Sequence, residues 1–173
     1  NGKIYICGGK QRKKLFELPK ILIRQTADHI MASYDTDGWY CLKSGLIVQL
    51  PSDTVISYKY LLGVLNSRLM KYLYDDLVGE QSRVFPEVKP VQLFKLPIPH
   101  INFDHPAEKA QHEKMVALVS QMLELHKSKA GAKTQSEQDV YERQIQSVDE
   151  SIDGLVYELY RLTEEEIKIV EQS

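Results

Sequence analysis

Cysteine is scarce: Cys7 and Cys41 are the only two in 173 residues, and they form no CxxC pair. That argues against a disulfide framework and reads as two reduced structural thiols in a cytoplasmic protein. Long apolar runs are also missing, and nothing approaches the roughly 18 residues that a membrane span requires. The opening run NGKIYICGGKQRKK lacks the order of a secretory signal, and without an initiator methionine the chain reads as a piece of something longer. No glycine fingerprint for a dinucleotide, no GxxxxGK[ST] phosphate loop and no HExxH zinc motif occurs. CGGK, Cys7 to Lys10, is too short to serve as any of these. His100, His105 and His112 form a loose trio without ligand spacing, so they read as solvated histidines rather than metal ligands. Asp35 with Asp37, and Asp75 with Asp76, fall in a turn and at a helix end, where carboxylates are common. No catalytic residue, metal site or cofactor site emerges from this chain.

What is present is the composition of a soluble globular protein, 43% hydrophobic and 27% charged, long enough for one core with an extension. The net charge of -2 conceals an uneven distribution. Residues 1–99 carry 14 Lys+Arg against 9 Asp+Glu, whereas residues 100–173 carry 8 against 15. A polyanion would prefer the first part, because lysines and arginines there can neutralise phosphates and release counterions. The second part would repel it.

The pattern predicts an α+β protein: a mixed, mainly antiparallel sheet with a packed helix, followed by an antiparallel, coiled-coil-like helical hairpin. KIYICGG and KILIRQT read as strands, and MASYDTDGWYCLKSGLIVQL reads as a hairpin turning at Asp37-Gly38. Trp39 is assigned to core packing, with stacking on a base as the other use of such a ring. Apolar residues from Tyr60 to Leu73 recur at helical steps, so one helix is expected from Ser57 to about Val78, ended by Gly79. The prolines at 86, 90, 97 and 99 exclude a long helix there. Downstream, Tyr141, Ile145, Val148, Ile152, Leu155 and Leu159 form a heptad seam, and Met115, Leu118, Met122 and Leu125 form its partner. Thr163 and Glu166 make a capping box for a short last helix. The expected division is a recognition domain over 1–99, a linker over 100–107 and a helical spacer over 108–173.

Binding chemistry concentrates in the first part. Lys10, Arg12, Lys13 and Lys14 follow a glycine pair between strands, where mobile cations can track a phosphate backbone; a solvated basic loop reads equally well. Arg24 and Gln25 have the fork and amide geometry for bidentate contacts to guanine and adenine edges. Lys43 lies near the same strands. Gln81 and Arg83 open a loop that the following prolines stiffen.

The order of KILIRQTADHIMASYDTDGWYCLKSGLIVQL, YLLGVLNSRLMKYLY, GEQSRVFPEVKPVQLFKLPIP and IDGLVYELYRLTEEEIKIVE resembles the TaqI-like C-terminal specificity domain. Its most specific pieces are Leu65-Asn66-Ser67, Phe85-Pro86 leading to Leu96-Pro97-Ile98-Pro99, and Val156 to Tyr160. The resemblance implies the target-recognition part of an adenine-specific DNA methyltransferase, alone or fused to a type II restriction enzyme, similar in plan to type I specificity subunits. It implies a double-stranded DNA partner, an S-adenosylmethionine site and any nuclease upstream in the same polypeptide, and no cofactor in this fragment. The NPPY-type motif that grips a flipped adenine is absent, and PSDTVISYK at 51–59 lacks the second acid of a nuclease motif. The rival reading is a protein-interaction module that uses the heptad helices without binding DNA.

Overall fold

Lys20, Leu22 and Arg24 alternate with Ile21 and Ile23, a period of two that gives one strand two chemically different faces. The first part of the protein is built around this strand. The computed structural model describes residues 3–6, 13–41, 44–79 and 87–173. Among them run β1 (Lys3–Ile6), α1 (Lys13–Glu17), β2 (Lys20–Arg24), β3 (Ala32–Asp35), β4 (Gly45–Gln49), α2 (Tyr58–Leu65), α3 (Arg68–Val78) and α4 (Pro90–Leu93). Three longer or later helices follow: α5 (Pro106–Gly131), α6 (Gln135–Tyr160) and α7 (Glu164–Glu171). The chain groups into two units, Asn1–Asn66 with Met70–Ile98, and Ser67–Leu69 with Pro99–Ser173.

In the first unit the sheet order is β1-β4-β2-β3, antiparallel at each pairing. β2 pairs with β3 from Lys20↔Asp35 to Ile23↔Ala32, and with β4 from Ile21↔Val48 to Arg24↔Gly45. The expected hairpin of β3 with β4 is therefore not formed, because β2 lies between them. The cause is local. After Asp35 the backbone donors of Asp37 and Trp39 are taken by the Asp35 carboxylate, each at 3.0 Å, so no partner strand is needed to satisfy them. Gly38, at φ 79, turns the chain toward α1, where Tyr40 stacks on Phe16 with ring centroids 4.6 Å apart. Trp39 is left 68% exposed, against the expectation that it closes the core.

One face of the sheet carries Leu22 and Ile47, covered by Phe16 and Cys41. Cys41 is disulfide-bonded, which corrects the expectation of reduced thiols; the other cysteine of the chain, Cys7, lies outside the described residues. On this face Lys20 is fully buried and donates from Nζ to both the Asp35 carboxylate and the Phe16 carbonyl. The opposite face presents Ile21, Ile23, Leu46 and Val48, all buried, and each such aliphatic side chain contributes about 1.5–3 kcal/mol. α2 packs there. Ser57 caps it by accepting from the Lys59 N–H at 3.1 Å, and Tyr58 stacks on Tyr34 of β3.

The single helix expected from Ser57 to Val78 is two helices, broken at Asn66 and Ser67. Asn66 leaves the helical run to bond β3 in both directions, accepting from Ala32 N–H at 2.9 Å and donating to its carbonyl at 3.0 Å. A side chain committed to a strand fixes the backbone around it, and α3 starts afresh at Arg68. Gly79, at φ 64, follows its last residue as expected.

In the second unit α5 and α6 run antiparallel across the short connection Ala132–Thr134, with Lys129 of one paired to Glu142 of the other. Val148, Ile152 and Leu155 of the anticipated seam are buried, as are Met115 and Val119 facing them. Thr134 with Glu137, and Thr163 with Glu166, both form complete capping boxes, and the backbone donors they accept hold both glutamates below the usual carboxylate range. His112 is buried edge-on against Phe103, and burial lowers its pKa; no metal-binding group occurs among the described residues. No helix among them is long and apolar enough to cross a membrane.

Within this unit, which includes Ser67–Leu69, Asp153 is buried in α6 and accepts from the Arg68 backbone N–H at 2.9 Å, satisfying a donor of the first turn of α3. Its Oδ2 lies 3.1 Å from Arg68 Nε as an ion pair without an aligned hydrogen bond. Burial pushes the Asp153 carboxyl up to about 6, beyond what Arg68 recovers.

Two predictions follow from these buried charges. Lys20→Met leaves Asp35 charged and uncompensated, and urea denaturation should show a loss of about 3–5 kcal/mol. The Lys20→Met, Asp35→Asn double variant should lose less than that single one. For Asp153 the proton is held more tightly in the folded state than in the unfolded one, where the value is 3.8, so stability is lost as pH rises through about 6. Asp153→Asn should thus be at least as stable as the parent at about pH 7.5, with the gap closing toward about pH 5. Asp153→Ala, which removes the acceptor, should cost about 1–3 kcal/mol.

Candidate nucleic-acid interface

Three backbone hydrogen bonds draw separate segments together at one end of the sheet. Arg24 N–H donates to Met31 O at 3.0 Å and closes the loop between β2 and β3. Gln25 N–H donates to Ser44 O at 2.8 Å, and Gln25 O accepts from Val88 N–H at 2.7 Å. The Gln25 side chain also donates from Nε2 to Glu87, while the Tyr74 hydroxyl bridges Glu87 O and Lys89 N–H at 3.4 Å each. Gln25 is thus a brace between the β2–β3 loop, the entry to β4 and the segment leading to α4. Its amide nitrogen is engaged, and its buried Oε1 has no partner among the described residues. A bidentate contact to adenine needs both atoms free.

Arg24 is different. It ends β2, is exposed, and its guanidinium forms no ion pair among the described residues. Held on a strand end by two ladders, it offers five donors in a fixed plane without reorganising the backbone. Lys13 and Lys14 are the first two residues of α1. Lys10, Arg12, Lys43, Gln81 and Arg83 lie outside the described residues.

A cavity of about 670 Å³ opens on the opposite face. Ile23, Val48, Leu61, Leu65, Leu93 and Leu96 line it, with no acid, base or cation among the lining residues. Such a groove can hold apolar groups. The feature that residue types did not reveal is Trp39. Its ring faces solvent next to Tyr40, which stacks on Phe16 and is also largely exposed.

The first unit is thus a small antiparallel sheet that presents an exposed arginine and gathered loops at one end. The comparisons with known proteins place it more narrowly: residues 3–98, more than half of the chain, match the TaqI-like C-terminal specificity domain, and the chain belongs to that family. It is also 42% identical over 72 residues to a protein of Methanocaldococcus jannaschii named as a type II restriction enzyme and methyltransferase. That match covers 38% of this chain and 6% of the relative's length.

Proposed function

We propose that this chain recognises a specific sequence in double-stranded DNA and positions the catalytic part of a larger restriction–modification enzyme on it. In this reading residues 1–99 are the target recognition domain, 108–173 a helical spacer and 100–107 the connection between them. The parent would be an S-adenosylmethionine-dependent adenine methyltransferase, with or without a fused nuclease, and this fragment would carry neither activity. The observation that carries the reading is the exposed Arg24, without an ion pair among the described residues, on a strand end that Gln25 braces from three sides. Family membership and the surplus of cations in residues 1–99 support the same partner.

The roles divide by chemistry. Lys10, Arg12, Lys13, Lys14 and Lys43 contact phosphates and set orientation, whereas Arg24 and Arg83, with Gln81, reach base edges. Gln25 holds the loops in place instead of reading a base. α6 carries seven carboxylates and one arginine, a charge that keeps it off the duplex and suits a spacer or a docking surface for the catalytic part.

Fluorescence anisotropy with a labelled mixed-sequence duplex tests the phosphate half. Affinity should fall steeply with salt, and Lys13→Ala with Lys14→Ala should make the log–log slope shallower by about 2. Arg24→Ala should leave that slope almost unchanged while costing about 1–3 kcal/mol on the true target. A salt-independent interaction would instead indicate apolar helix association and support a protein-interaction module.

A further inference from the structure

We infer that Trp39 is a DNA-contacting residue, its indole wedging into a base step at the edge of the recognised site and stacking on the base face it opens. The inference rests on the DNA reading above and adds to it a contact that is apolar rather than ionic.

Four observations carry it. First, Trp39 is 68% exposed, the most exposed aromatic among the described residues, in a turn where any small polar residue would fit. Second, its backbone is held in place: the Trp39 N–H donates to Asp35 at 3.0 Å, the Asp37 N–H does the same, and Gly38 adopts φ 79 between them. Asp35 is itself fixed by the buried Lys20. Third, Tyr40 stacks on Phe16 with 20° between planes yet stays 59% exposed, so the turn displays two adjacent aromatic rings at the surface and buries neither. An aromatic ring displayed on a rigid turn loses little entropy on binding, which is what a stacking platform requires. Fourth, the charged neighbours select the ligand. The turn itself carries the exposed Asp37, and the backbone of Glu17, exposed at the end of α1, passes beside Gly38; two carboxylates and no cation among the described residues at this turn disfavour phosphate. Base faces, not the backbone, suit this place.

Trp39 is the one tryptophan of the chain, so its emission reports this contact directly. The test uses the full chain at low salt with a mixed-sequence duplex whose anisotropy records binding independently. The expected result is that emission is quenched by half or more in step with the anisotropy. Trp39→Ala should weaken binding by about tenfold, by the same factor at low and physiological salt, and Trp39→Phe should restore most of it. Both variants alter a solvent-facing ring, and far-UV circular dichroism should match the parent. Binding that saturates with emission unchanged, or a Trp39→Ala chain that binds as tightly as the parent, overturns this inference and leaves the proposed function standing. Absence of any anisotropy change overturns both.

Discussion

The fold of the first unit depends on one buried ion pair. Lys20 and Asp35 face each other across β2 and β3, and neither could be buried without the other, since an isolated charge in that place would cost several kcal/mol. Once paired, they organise what surrounds them. The spare donor capacity of Lys20 ends on the Phe16 carbonyl at the end of α1, and the spare lone pairs of Asp35 satisfy two backbone donors of the turn that follows β3. One helix end, one strand pairing and one turn are therefore tied to a single point. The same tie sends the chain away from β3 and delivers β4 to the far side of β2, which is why the sheet is not a simple meander.

The two ends of the sheet consequently serve different purposes. At the Lys20 end, burial and ionic pairing make a rigid mount whose product is an outward-facing indole. At the Arg24 end, rigidity comes from backbone hydrogen bonds converging on Gln25, and the product is an exposed guanidinium amid loops. A recognition surface needs both kinds of group held without strain, because every side chain that must be ordered on binding subtracts from affinity. The second unit is built by other means: caps at both box motifs, an apolar seam and a buried Asp153 that finishes the start of α3. Its acidic surface is a solvated one.

Much of this was legible in residue spacing. Strand periodicity located β1 and β2, heptad steps located α5 and α6, and the Thr163–Glu166 box marked α7, because each is a local rule with a local cause. What was not legible depended on long-range partners. The Asp37-Gly38 dipeptide has the chemistry of a hairpin turn, yet the residue that decided its use is Lys20, far away in sequence. Asn66 sits in an unbroken helical pattern, and only the β3 backbone beside it explains the break. Gln25 and Arg24 look equivalent as base readers until Glu87 is seen to occupy one of them. Trp39 was assigned to the core by size, whereas both it and Tyr40 stay at the surface, Tyr40 as the outer ring of a stack on Phe16.

The central claim, that DNA lies against the loop-bearing side of the sheet, is tested most directly by amide hydrogen exchange of the full chain with and without a duplex at low salt. The account predicts slower exchange concentrated between residues 25 and 44, in the β2–β3 loop and the turn that carries Trp39, with the amides of α6 unaffected. Protection confined to α5 and α6, or to the apolar groove lined by Leu61 and Leu93, would contradict it.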